Sequence, residues 1–385
     1  MPHIKTTVLW LYGVLLVMLA IATFAGHAWG ISWANRYIYH SIPFCLLWGM
    51  LAAFTLYMLC QKRLWKRLSV FMLHLSFILI LGGALITFLS GKKGSVHLRI
   101  GTTSFQYMEQ ETNLMRTMPF TLRLDTFRVE YYPGTDIPSD YVSRVTCHSL
   151  NDSSFIQADI SMNHVLDWKG YRFYQSSYDE DEGGSWLSVN HDPWGTAVTY
   201  SGYILLAFSM VAMLRVRWKR YYGWLLAGVL VTACVLQLKT LYTPMRPVLV
   251  SPWFGIHISF IVVSYLLLTL ICLNGVVALS LPERGERLMR LSRNLLYPAV
   301  FFLGAGIFIG AVWANESWGR YWAWDPKEVW ALITFMVYGL PFHTESFPSF
   351  RNPRFFHIYV VASLLTVLMT YFGVNGMLGG MHSYG

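Results

Sequence analysis

Long apolar runs separated by short polar loops make up most of the chain, and between residues 91 and 194 that pattern gives way to alternating apolar and polar positions. Nine runs reach the roughly 20 residues that a helix needs to cross a bilayer. They lie near 7–26, 42–60, 69–90, 195–214, 222–240, 253–281, 295–312, 329–346 and 355–377. The first has no clear small-residue cleavage site before Trp29, so it reads as a span and not as a removable leader. In the intervening stretch, Phe120–Tyr132 and Tyr141–His148 alternate as half-buried strands do, and Pro133-Gly134 and Gly183-Gly184 supply turns. The expected fold is a polytopic α-helical membrane protein of about nine spans with one extracytoplasmic β-rich domain, sandwich-like and packed on the outer helix ends.

Composition agrees with that class. The chain is 55% hydrophobic and only 13% charged, and its mean hydropathy of +0.43 lies outside the range of ordinary soluble domains. Basic residues cluster in Lys62–Arg67, in Arg215–Arg220, at Arg284, Arg287, Arg290 and Arg293, and at Arg351 and Arg354. With nine spans all these clusters fall on one side, which the positive-inside rule makes cytoplasmic. The amino terminus is then inside, and the insert and carboxyl terminus are outside. A net charge of +9 is accounted for by topology and anionic lipid, and no nucleic acid is expected as a partner. Cys45, Cys60, Cys147, Cys234 and Cys272 form no Cys-x-x-Cys, so neither a redox pair nor a disulfide within the insert is expected.

Chemistry concentrates between Trp313 and Trp330, where five tryptophans and Tyr321 crowd the connection between two apolar runs. Interfacial girdles place a few rings along each membrane face; this density suggests a surface for a large flat ligand such as a porphyrin. Asp325-Pro326-Lys327-Glu328 has a plain structural duty as a helix-capping signal. Ser251-Pro252, Asn352-Pro353 and Asp192-Pro193 start helices in the same manner. Arg320 and Lys327 are candidates to pair with propionates.

Histidines fall at two depths. His74, within Phe71–Ile78, and His343, after Val337–Phe342, sit roughly 20 to 25 Å below the outer helix ends at 1.5 Å per residue. His257 follows Ser251-Pro252-Trp253, and His382 lies in the last residues; both are external, like the tryptophan loop. Imidazole is a common axial ligand of haem iron, so two facing pairs make two candidate sites. Taken singly, each histidine is equally well explained as a core residue bonded to a backbone carbonyl or a serine. His27 and His40 are minor alternatives for the outer site. His97, His148, His164 and His191 in the insert show no ligand spacing and read as surface or locally bonded residues, and the acidic run Asp179–Glu182 as a solvated loop tip.

Trp318-Gly-Arg-Tyr-Trp-Ala-Trp-Asp-Pro-Lys-Glu-Val-Trp-Ala-Leu-Ile-Thr334 resembles the tryptophan-rich (WWD) signature of haem-handling proteins in cytochrome c maturation, in the CcsA (ResC) branch of system II. Phe71-Met-Leu-His-Leu-Ser-Phe-Ile-Leu-Ile-Leu-Gly-Gly-Ala-Leu85 and the insert resemble the CcsB (ResB) partner. Together they cover nearly the whole chain as a fused synthase, with a short insert and an end directly after His382-Ser-Tyr-Gly as departures. The resemblance implies ResB-like spans at 1–90, the β-rich domain at 91–194, two further spans at 195–240 and a haem-handling domain at 241–385 with its loop at 313–330. By motif position His257 and His382 match the family's external pair, and His74 and His343 its intramembrane pair.

It also implies a holocytochrome c synthase in the bacterial inner membrane that moves haem b, its substrate and ligand, to the outer face. There it attaches haem to the Cys-x-x-Cys-His site of an apocytochrome through thioethers, with thiol-reducing proteins as further partners. Trp318, Trp322, Trp324 and Asp325 join His257 and His382 as candidate catalytic residues, and Trp313, Arg320 and Lys327 join the four histidines as candidate haem contacts. A haem exporter or chaperone without synthase activity, and a bis-histidine b-type cytochrome, are the rival readings. The chain contains no Walker sequence, which argues against ATP-driven pumping by this polypeptide.

Overall fold

A computed structural model describes residues 2–110, 112–217 and 251–379. The helices are α1 (Pro2–Trp29), α2 (Ile31–Ala34), α3 (Ile42–Gln61), α4 (Leu68–Ser90), α5 (Pro193–Arg217), α6 (Pro252–Ser280), α7 (Gly285–Trp318), α8 (Pro326–Gly339) and α9 (Pro353–Leu368), with π-helical segments at Asn35–Tyr39 and Met369–Leu378. Seven of the described helices are long and apolar enough to cross a membrane. The predicted span at 222–240 lies outside the described residues. The predicted span at 329–346 is shorter than expected: α8 has 14 residues and yields to a 3-10 turn, Leu340–Phe342. Pro341 lacks the N–H needed to continue the ladder.

Helix starts follow the local chemistry of their first residues. Asp325 accepts from Lys327 N while Glu328 reaches back to Asp325 N, a complete capping box. Ser251 accepts from Trp253 N and Asn352 from Phe355 N, and Asp192 Oδ1 accepts from Gly195 N at 3.1 Å. Each cap satisfies an N–H with no partner inside its helix.

The insert is one continuous antiparallel sheet of eight strands, in the order β5-β4-β3-β2-β1-β8-β7-β6. Its strands are β1 (Lys92–Arg99), β2 (Thr103–Glu109), β3 (Met115–Tyr131), β4 (Pro138–Ser149), β5 (Phe155–Ile160), β6 (Leu166–Trp168), β7 (Tyr171–Tyr178) and β8 (Gly184–His191). The sandwich-like domain expected is built from a single sheet curled on itself. Ser143 of β4 bonds Gln175 of β7 and Ser185 of β8, and Lys169 bridges to Ser149 and Asp152. The curl encloses one core, with Phe120, Leu122, Leu124, Val145, Cys147, Phe173 and Leu187 fully buried. Burial pushes the Cys147 thiol up to about 12, so it stays protonated and unreactive.

The acidic run is the solvated tip expected, at the turn between β7 and β8 with Glu180, Asp181 and Glu182 exposed, and two of its carboxylates are paired. Asp179 and Asp181 receive Arg99 at 2.9 and 2.7 Å, and Asp179 also receives His97, which stacks on Trp186. The other insert histidines are locally engaged as expected: His148 stacks on Phe155, His191 on Tyr171, and His164 bonds Ser161. Glu109 is buried beneath Thr112, Arg116 and Lys92; the Thr112 hydroxyl first, then the two cations, hold its carboxyl down at about 2.

The sheet sits on a rigid mount. β1 begins two residues after α4, β8 ends two residues before α5, and the two strands pair from Lys92↔His191 to Arg99↔Gly184. Beneath them α4 and α5 pack closely. A Cβ on Gly83 would lie 2.6 Å from Thr199 N, and one on Gly202 2.7 Å from Ile80; small residues allow such approach between helices in lipid.

Candidate functional site: histidines and the tryptophan loop

His74 is in the second turn of α4, and His343 follows the 3-10 turn that ends α8, so it lies off the helix on which it was expected. Their ring centroids are 6.1 Å apart, with perpendicular planes. Nδ1 of His74 lies 2.8 Å from the Val70 carbonyl, and Nδ1 of His343 lies 3.1 Å from that of Gly339. A carbonyl only accepts, so each Nδ1 carries a proton, which leaves Nε2 as the nitrogen of each ring that can ligate a metal in the neutral form. A salt bridge from Lys62 to Glu345, 3.1 Å long, ties the loops beside them together. Between α4, α5, α7 and α8 runs a narrow apolar cleft, lined by residues that include Leu73, Met210, Phe335 and Phe342. Its lining includes the chain neighbours of both histidines.

His257 is seated against α7. Its Nδ1 donates to the Gly306 carbonyl at 2.7 Å, and its ring lies over Gly310, where a Cβ would come within 2.6 Å of Nδ1. Trp313, one turn on, runs nearly parallel to the imidazole at 15° and is 1% exposed. The Gly306-x-x-x-Gly310 spacing inside an apolar run was the signal for this seat, and the histidine reading missed it. His382, its expected counterpart, lies outside the described residues.

The expected loop 313–330 is shorter in the structure. α7 continues through Trp313 and ends at Trp318, and α8 starts at Pro326, leaving 319–325 as the coil. Its indoles do not form one flat platform. Trp322 and Trp324 meet edge to face at 87°, and they pack into different cores, Trp322 with α6, α7 and α9, Trp324 with α1, α3 and α8. Tyr39 stacks on Trp324 at 4.5 Å and 9°, Phe44 closes its edge, and Trp324 holds a φ of +58°, a conformation L residues seldom adopt. Trp330 donates Nε1 to Thr23 at 3.1 Å. Part of the aromatic density is therefore structural.

Asp325 is buried as the cap of α8, and Glu328 Oε2 also accepts from Ala323 N at 2.9 Å, so both carboxylates serve backbone geometry. Lys327 Nζ donates to Asn375 at 2.8 Å on the second π-helical segment, and Arg320 is half-buried at the coil's start. Among the described residues the buried Tyr39 hydroxyl and Trp322 Nε1 have no hydrogen-bond partner. His27 Nδ1 lies 3.3 Å from the Leu378 carbonyl, and His40 packs edge-on against Phe88.

Comparison with known proteins finds two families along the chain. Residues 193–382 match the cytochrome C assembly protein family and residues 52–186 the ResB-like family. Protein NrfI of Wolinella succinogenes is 37% identical over 37% of this chain and 17% of its own length. Cytochrome c biogenesis protein CcsA of Chlamydomonas reinhardtii is 35% identical over 37% of this chain and 43% of its own, and that of Synechococcus sp. 35% identical over 37% and 58%. The chain thus spans less than two thirds of each of these relatives. Its two parts match the ResB-like and cytochrome C assembly protein families, an arrangement that fits a fused system II protein.

Proposed function

We propose that this chain acts in cytochrome c maturation, carrying haem across the membrane and joining it to the Cys-x-x-Cys-His site of an apocytochrome on the outer face. The observation that carries the reading is the meeting of His74 and His343 from the two family parts of the chain. Two metal–imidazole bonds of about 2 Å, with about 1.1 Å from each nitrogen to its ring centre, put axial ring centroids roughly 6 Å apart. The observed 6.1 Å agrees with one iron between them.

In this reading haem is substrate and cargo. It is held first by His74 and His343, then by His257 and His382 against Trp313 and the coil, where Arg320 and Lys327 meet the propionates. Each cysteine S–H adds across a vinyl C=C, forming one C–S and one C–H bond, so the addition is redox neutral. The cysteine proton ends on carbon, and the histidine of the incoming peptide takes over one axial position. Effective concentration of thiol and vinyl supplies most of the rate; Trp318, Trp322 and Trp324 orient the macrocycle. The membrane is the bacterial inner membrane, with the basic loops inside and the sheet outside.

The test is co-expression with a Cys-x-x-Cys-His substrate in a host without maturation genes of its own. Haem that stays on the denatured substrate is the expected result. Abundant protein with no covalent haem on the substrate would sink the proposal, and permanent haem binding without product would favour an electron carrier.

A further inference from the structure

We propose that Asn190 and Tyr174 of the extracytoplasmic sheet are positioning residues for the tryptophan-rich coil, gripping the turn at Gly319 where α7 ends. The functional part of this inference rests on the reading above; the structural part does not. The turn requires a left-handed residue, and Gly319 holds φ +75° with its N–H on the Asn315 carbonyl at 3.2 Å. The same carbonyl accepts the Tyr174 hydroxyl at 3.0 Å, and the Gly319 carbonyl accepts Asn190 Nδ2. The Tyr174 ring covers the bare Cα so closely that a Cβ on Gly319 would lie 2.6 Å from Cζ. Tyr174 is 3% exposed, Asn190 8% and Asn315 1%, so these bonds form away from water, where breaking one leaves a buried carbonyl without a donor.

A second anchor follows two residues later. The Tyr321 hydroxyl lies 2.6 Å from Thr87 Oγ1 at the outer end of α4; Thr87 donates to Asp192 Oδ2, also at 2.6 Å, and Asp192 caps α5. At its far end the coil is held by Glu328, which takes Ala323 N and Asp325 N. The exit is thus fixed by α8 itself and the entrance by the sheet and the outer end of α4. Arg320 and Trp322 lie between those supports, so their placement depends on a sheet more than 100 residues away in sequence. A role confined to sheet stability would leave no reason for side chains of β7 and β8 to bond carbonyls of α7 and the coil.

The test uses full-length protein in detergent and compares wild type, Asn190→Leu, Tyr174→Phe, Gly319→Ala and Gly319→Ala with Tyr174→Leu. Hydrogen exchange of peptides covering 315–330 is read beside peptides from β3 and β8, with alkylation of the buried Cys147 as the reporter of sheet integrity. Asn190→Leu is expected to speed exchange in 319–325 by about tenfold, the loss of one bond to a buried carbonyl, with β3 and Cys147 unchanged. Removing the ring is expected to relieve Gly319→Ala, so the double variant falls short of the sum of the singles. Thioether yield should fall in parallel while haem bound through His74 and His343 persists. Unchanged coil exchange, or exchange rising equally in sheet and coil, would overturn the proposal. If wild type forms no thioether, the exchange arms still decide the seam and only the functional reading falls.

Discussion

The inner and outer histidines are held by different means. His74 and His343 each bond a carbonyl four residues back in their own segment, Val70 and Gly339, so their orientation is a local property. His257 bonds a carbonyl of a neighbouring helix, Gly306, and needs the bare Cα of Gly310 for its ring to lie flat. His343 is exposed beyond a helix end and the pair meets only across the bundle; His257 is seated on α7, over Gly310 and beside the Trp313 ring. Local tethering suits a site that takes up and releases cargo, because the rings can swing without repacking helices. A seat built into a helix interface suits a site that must hold one geometry while bonds form.

The sharpest way to break this comparison is Gly310→Leu, which drives a side chain into the His257 ring. Attachment should fall at least about 100-fold, a loss of the order of 3 kcal/mol, while haem bound at the inner pair is retained in the reduced absorption spectrum. Equal loss at both depths would show that the outer seat is not independent. Next in size, His74→Ala and His343→Ala should each cut co-purifying haem by about tenfold, the double variant adding little, as partners on one iron do. Imidazole in the growth medium should restore part of it, and additive losses would count against shared ligation.

Tyr39→Leu removes the stack on Trp324, a contact of about 0.5–1.5 kcal/mol. Attachment should drop a few-fold with the inner site untouched; an unchanged rate would make that stack a matter of packing only. The smallest effect belongs to neither site. Glu109 has its carboxyl lowered from 4.5 to about 2, so its contribution to the sheet is complete above pH 4.5 and lost as pH falls through 2. Glu109→Gln should flatten that acid limb, followed by Cys147 alkylation, and leave haem binding at neutral pH as in wild type.

Several of these features were legible from local pattern. The apolar runs, the strand alternation at Phe120–Tyr132 and the four caps at Asp192, Ser251, Asn352 and Asp325 all follow from groups a few residues apart. The candidate histidines were picked out by the cost of placing imidazole in an apolar run. The seat of His257 was half visible, since the glycine spacing was present while its partner was not. The shortness of α8 was hidden because Leu340–Phe342 are as apolar as a helix end while Pro341 breaks the ladder. The single curled sheet was hidden as well, because strand alternation does not say which strands pair.

By itself the sequence determined where helices and strands begin, which side of each is apolar and where imidazole is costly, because those depend on bonds and burial within a turn or two. Only the tertiary structure decided that His74 meets His343, that Tyr39 from the first helices covers Trp324, and that Asn190 and Tyr174 hold Gly319. Those pairings join residues more than 100 positions apart, and they arise from which helices and strands pack together, a choice made by the shape and hydrogen bonding of whole surfaces.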